Sequence, residues 1–148
     1  MGLFSAIAAT ASGLAAQRVR MDTVSGNVAN LDSTKRPDGE GPYRRHIVRF
    51  SAGDASAPFS TLAQHLTGQR GRGVVLTQVT TDEVSPTRKV YDPAHPDAGN
   101  DGFVEMPNVD LVTEMTDLTS ANRSYQANVT VLNAVKQMAL RALDIGSR

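Results

Sequence analysis

The segment Ser120–Asn128, "SANRSYQAN", lies inside a run whose apolar spacing reads as a long helix, and its reading decides the fold. Asn122, Tyr125 and Asn128 stand where a solvated surface helix carries Lys, Glu or Ala. Asparagine is a mediocre helix former because its amide competes for nearby backbone groups. A helix that keeps such residues has a use for uncharged polar contacts.

Working outward, positions 111, 115, 118, 122, 125, 129, 132, 136, 139 and 143 alternate in steps of three and four. They read Leu111, Met115, Leu118, Asn122, Tyr125, Val129, Leu132, Lys136, Ala139 and Leu143, eight of ten being apolar or aromatic. This is a coiled-coil-type stripe. Pro107 and Asn108 supply a start signal and Gly146 a stop, which predicts a helix from about Val109 to about Ile145. The other end of the chain repeats the plan. Leu3, Ile7, Thr10, Leu14, Gln17, Met21, Val24, Val28 and Leu31 form the same alternating stripe, seven of nine being apolar. The intervening faces are rich in Ala, Ser and Gly, which lets neighbours approach on several sides.

Between these arms the composition changes, and residues 32–102 hold most of the glycine and nearly all of the proline. Strands are predicted at "YRRHIVRF" (43–50), "GVVLTQVTTD" (73–82) and "RKVYD" (88–92) from β-branched content and partial alternation. "STKRPDGEGP" (33–42) and "YDPAHPDAGNDG" (91–102) read as turn-rich loops. The expectation is an α+β chain in which two long terminal helices pack as an antiparallel coiled-coil-like pair. A small β-rich insert projects from one end. The divisions fall at an N-terminal helical arm (1–33), the insert (34–106) and a C-terminal helical arm (107–148).

Composition excludes several functions. With 15 basic and 15 acidic residues the net charge is zero, so no electrostatic case for nucleic acid or an anionic membrane arises. The absence of cysteine excludes disulfide frameworks and thiolate zinc sites. The Ala-rich N-terminus has no Lys or Arg before Arg18, which argues against a cleaved secretory signal. No apolar stretch reaches the length of a membrane span, so no direct membrane insertion is expected.

Candidate chemistry is sparse. "GQRGRG" (68–73) neither follows a strand nor opens a helix, as dinucleotide binding requires, and reads as a loop. Asp92, His95, Asp97 and Asp101 cluster in one loop, but fit neither the calcium loop nor the HExxH helix. Its two prolines read as a rigid connector. His46, His65 and His95 share no spacing with a nucleophile, and Ser5, Ser51 and Ser124 lie in no nucleophile elbow. No enzyme, metal or cofactor is expected.

The informative residues are those of the two helices. Asn27, Asn30, Asn122 and Asn128 add amides near the stripes, where polar groups weaken a dimer but specify register and partner. Helices with several sticky faces and few charges suit a polymer, in which each subunit packs against several neighbours. The expected packing residues are therefore Leu3, Ile7, Leu14, Met21, Asn27, Val28, Asn30, Leu111, Met115, Leu118, Asn122, Tyr125, Asn128, Val129 and Leu132. Two other readings are a soluble helical adaptor or export chaperone, binding one partner without polymerising, and a metal-assisted hydrolase using the 92–101 loop.

"SGNVANLDST" (25–34) resembles the N-terminal signature of bacterial flagellar axial proteins, the rod and hook group. "GPYRRHIVRF" (41–50), "HPDAGNDGFVEMPNVDLVTEM" (95–115) and "ANRSYQANVTVLNAVKQMALRALDIG" (121–146) resemble the proximal rod members of that group. Phe103 departs from the tyrosine usual there, and the stretch from about Ala52 to Gly73 matches least. The resemblance implies a structural subunit of the flagellar basal body, exported by the flagellar type III apparatus without a cleaved signal. It would polymerise in the periplasmic rod, which encloses the export channel and transmits torque. Implied neighbours are copies of itself, other rod proteins and the membrane-ring and export-gate base of the rod. The terminal helices would line the tube and the insert would lie outside.

Overall fold

The computed structural model describes residues 3–36, 39, 41–52 and 73–146. Its elements run α1 (Leu3–Ala29), β1 (His46–Ala52), β2 (Val74–Thr81), β3 (Arg88–Tyr91), β4 (Phe103–Met106) and α2 (Leu111–Gly146). The class is α+β. The segment 53–72, with His65 and most of the "GQRGRG" loop, lies outside the described residues.

Helix α1 is built on alanine, the best helix former, and Thr10 and Thr23 return their hydroxyls to the carbonyls of Ala6 and Val19. It stops at Ala29, short of the Leu31 that ends the apolar stripe. Asn30 turns the chain there, its N–H and its side-chain amide both donating to the Gly26 carbonyl.

Strands β1 and β2 pair antiparallel from His46↔Thr81 to Ala52↔Val74, with a register shift between Arg49 and Phe50. Strands β3 and β4 form a second antiparallel pair from Arg88↔Met106 to Tyr91↔Phe103. Strand β4 is a finding of the structure that the residue pattern does not announce. Its four residues, Phe-Val-Glu-Met, are too few to show a period of two. The connection between β3 and β4 needs Gly102, which has φ 72° and leaves a Cβ only 2.8 Å from the Tyr91 ring.

The first hairpin lies along α1 and does not project from an end. Val74 N–H donates to Ser12 Oγ at 3.0 Å, Arg20 sits 5.4 Å from the Phe50 ring centre, and Asn27 meets His46. Fifteen helical residues and seven strand residues each span about 22 Å, so the two run the same distance side by side.

Helix α2 begins at Leu111, two residues past the expected start at about Val109. Asp110 is the N-cap: its carboxylate accepts from Thr113 N–H at 3.2 Å and Thr113 hydroxyl at 2.5 Å, and its carbonyl takes Glu114 N–H. Asn108 is used differently, as described below. Helices α1 and α2 pack together through Asn27 against Glu114 and Gly13 against Asn128. Position rises along one helix as it falls along the other.

The buried apolar side chains are small: Ala16, Val24, Val104, Val109, Ala121 and Val135. A Cβ on Gly13 would come within 3.0 Å of the Asn128 amide, so close approach of the helices depends on that glycine. Large apolar groups remain outside, among them Val112 (72% exposed), Met115 (57%), Met138 (58%) and Leu143 (69%).

Candidate assembly surface

Two polar residues are fully enclosed, Glu114 at 0% and Asn27 at 1% exposure, and they meet where both helices and the first hairpin converge. Asn27 fills every valence of its amide. Its Nδ2 donates to the His46 carbonyl at 2.9 Å and to Glu114 Oε2 at 3.0 Å. Its Oδ1 accepts from His46 N–H at 2.9 Å and from Tyr43 hydroxyl at 3.0 Å. The amide thus takes both backbone groups of the first residue of β1, as a neighbouring strand would.

Glu114 is also held by Arg45, whose Nε lies 2.5 Å from Oε1 while Nη2 reaches Asp117 at 3.3 Å. A buried carboxylate is tolerable only with such partners. Tyr43 Oη sits between two polar partners, Asn27 Oδ1 at 3.0 Å being one of them. His46 Nδ1 lies 2.5 Å from Tyr43 Oη, so the imidazole and the phenol share a hydrogen bond. Burial, and next the charge of Glu114, push the Tyr43 phenol up from its ordinary value.

Asn108 ties the same corner together. Its Oδ1 accepts from Arg45 N–H at 2.8 Å, and its Nδ2 donates to the Asp82 carbonyl at 3.1 Å. Asp82 folds over its own turn, accepting from Val84 N–H, Ser85 N–H and Ser85 hydroxyl, and the serine contacts lower its carboxyl. Asp97, in the 92–101 loop, is lowered by Lys35 and then Thr34, which tie that loop to the segment following α1. Asp92 caps the Ala94 N–H, and His95 Nδ1 accepts from Asp97 N–H. Among the described residues no three His, Asp or Glu side chains converge as a metal site, and no helix is long and apolar enough to cross a membrane.

The residues expected to pack subunits fall into three groups. Asn27 is spent inside its own chain, and Asn30 bonds Gly26 and Ser33 in its own turn. Ile7, Leu14, Met21, Val28, Leu118, Tyr125, Asn128, Val129 and Leu132 are half-buried. Leu111, Met115 and Asn122 are exposed, and the side chain of Leu3 lies outside the described residues. The contact line on α2 passes through Glu114, Ala121, Asn128 and Val135, a strict seven-residue repeat. On α1 it passes through Gly13 and Asn27. The α2 line lies about one residue round from the stripe read in the sequence; on α1 Gly13 and Asn27 are likewise one residue round, whereas Val24 of the stripe is itself buried. Glu114, Arg45, Tyr43 and Asn108 escaped that reading because a hydrophobic criterion ranks Met115 above Glu114. Only the arrival of Arg45 from the insert makes the glutamate a core residue.

Two family models match the ends of the chain, "Flagella basal body rod protein" over residues 7–37 and "Flagellar basal body rod FlgEFG protein C-terminal" over residues 100–145. These are the two helical arms together with β4. The class is that of flagellar basal-body rod proteins. The chain is 46% identical over 150 residues to the flagellar basal-body rod protein FlgC of Bacillus subtilis, covering 99% of each. It is 44% identical to the FlgC of Borreliella burgdorferi, covering 98% of each, and 43% identical to that of Salmonella typhimurium, covering 99% of each. The chain belongs to the FlgC family of rod proteins.

Proposed function

We propose that this chain is a structural subunit of the flagellar basal-body rod, polymerising through its terminal helices to help build the proximal rod. Full-length likeness to FlgC proteins supports the rod, and one structural observation supports polymerisation. Met115, Val131, Met138, Leu140 and Leu143 stand at least half exposed along one helix, although apolar contact area is what stabilises a folded chain. Neighbouring subunits would cover them. The helical arms (1–33 and 107–148) act as an antiparallel coiled-coil-like unit that encloses the export channel. The insert (34–106) lies outside and stiffens the shaft against torque.

The partners are copies of the chain, other rod proteins and the membrane-ring base of the rod. Delivery is by the flagellar export apparatus, without a cleaved signal peptide, to the periplasmic part of the basal body. Imaging of isolated basal bodies carrying a labelled chain tests this. Label in the rod, close to the membrane ring, is the expected result. Stoichiometric binding to one partner outside basal bodies would identify an adaptor or chaperone instead.

A further inference from the structure

Val84 is 95% exposed, yet its turn is held by several hydrogen bonds. Asp82 Oδ1 accepts from the N–H groups of Val84 and Ser85, at 3.1 and 3.0 Å, and Asp82 Oδ2 takes the Ser85 hydroxyl at 2.6 Å. The Ser85 carbonyl accepts from Arg44 Nη1 at 2.9 Å, and Asp82 N–H donates to the Arg45 carbonyl at 2.8 Å. Asn108 holds the Asp82 carbonyl from the other side. An exposed valine gains nothing for its own chain, whereas a rigid apolar knob loses little entropy on docking. Asn108 also places this turn beside the start of α2, where Leu111, Val112 and Met115 are exposed at 40%, 72% and 57%. Exposed Glu83 and Asp110 border the patch, so it is apolar with an acidic rim.

A second surface complements it. Arg123, Ala127, Val131, Ala134, Met138 and Arg141 follow one another in steps of three and four and are all exposed. They form one apolar stripe with a basic residue at each end. Val131 lies twenty residues beyond Leu111, about 200° round the helix and about 30 Å along it. Val112, the most exposed helical member of the patch, is about 100° from Val131, so the two surfaces are turned about a quarter-turn from one another and are offset along the helix. One chain cannot join them, and two chains joined through them leave one of each free, so the contact is head-to-tail and can be repeated by further copies.

We propose that the Val84 turn, with the exposed start of α2, docks on the Arg123–Arg141 stripe of a second copy of this chain. The inference rests on the rod reading and names one contact within it. The chain has no cysteine, so engineered pairs report cleanly. In basal bodies carrying V84C together with V131C, oxidation should give a disulfide between copies, because the separation within one chain is too large for a bridge. Glu83→Lys should lower the yield at least about tenfold by setting like charges together, and adding Arg141→Glu should restore it. Several results would overturn the proposal. They are a dimer from V84C alone, a cross-link only to a different protein, or no cross-link in basal bodies that contain the chain. If the unsubstituted chain is absent from basal bodies, the rod reading fails and this contact with it.

Discussion

Asn27 gains its meaning from stereochemistry that no other side chain reproduces. Its amide donates twice and accepts twice within one enclosed corner. Asn27→Asp keeps the shape but removes both donors and sets a carboxylate against Glu114. We expect a loss of at least about 2 kcal/mol, read as a lower urea midpoint with unchanged slope. Tyr43 supplies a second test. Its pKa is raised in the folded chain, so the phenol binds its proton more tightly there than when unfolded. Its contribution is complete below the unfolded value of about 10 and is lost as pH rises through the higher folded value. Tyr43→Phe should therefore flatten the alkaline limb of the stability profile. An alkaline limb identical to that of the parent would refute the assignment.

Among the elements, α2 depends on a cap that the Pro-Asn pair hides. Hydrogen bonds from Thr113, its hydroxyl first, hold the Asp110 carboxyl below the ordinary carboxylate value. A depressed folded pKa means that this support is present above the unfolded value of about 3.9 and fades as pH falls through the folded one. Asp110→Asn keeps a capping oxygen but cannot titrate. Its stability should fall less steeply than the parent's below about pH 4, followed by helical ellipticity. Asp82 and Asp97 are depressed too, so some acid sensitivity should remain.

At the scale of the whole molecule, the described residues have a core of small side chains and large apolar ones left outside. Helices of this kind draw most of their stability from packing. Leu132 is half-buried, midway along α2 on the flank of the contact line. Leu132→Asp puts an unpaired carboxylate at that site, which costs more than losing the leucine alone. The expected outcome is a chain that is made but does not enter basal bodies, in cells that do not swim. Normal incorporation would show that neighbours do not cover this part of α2.

Much of the fold was legible in the chain itself. Alternating steps of three and four located both helices, β-branched runs located β1, β2 and β3, and the signatures around Asn27 and Asn128 gave the family. These features are local, and local backbone preference writes them directly into the residue order. Tertiary structure decided the rest. It placed the first hairpin along α1, because Ser12, Arg20 and Asn27 happen to meet residues far away in sequence. It also turned the contact line of α2 onto Glu114. A carboxylate belongs in a core only when partners arrive, and here they come from residues 27 and 45. Apolar periodicity records what each helix can bury, whereas long-range pairing of polar groups settles what it does bury.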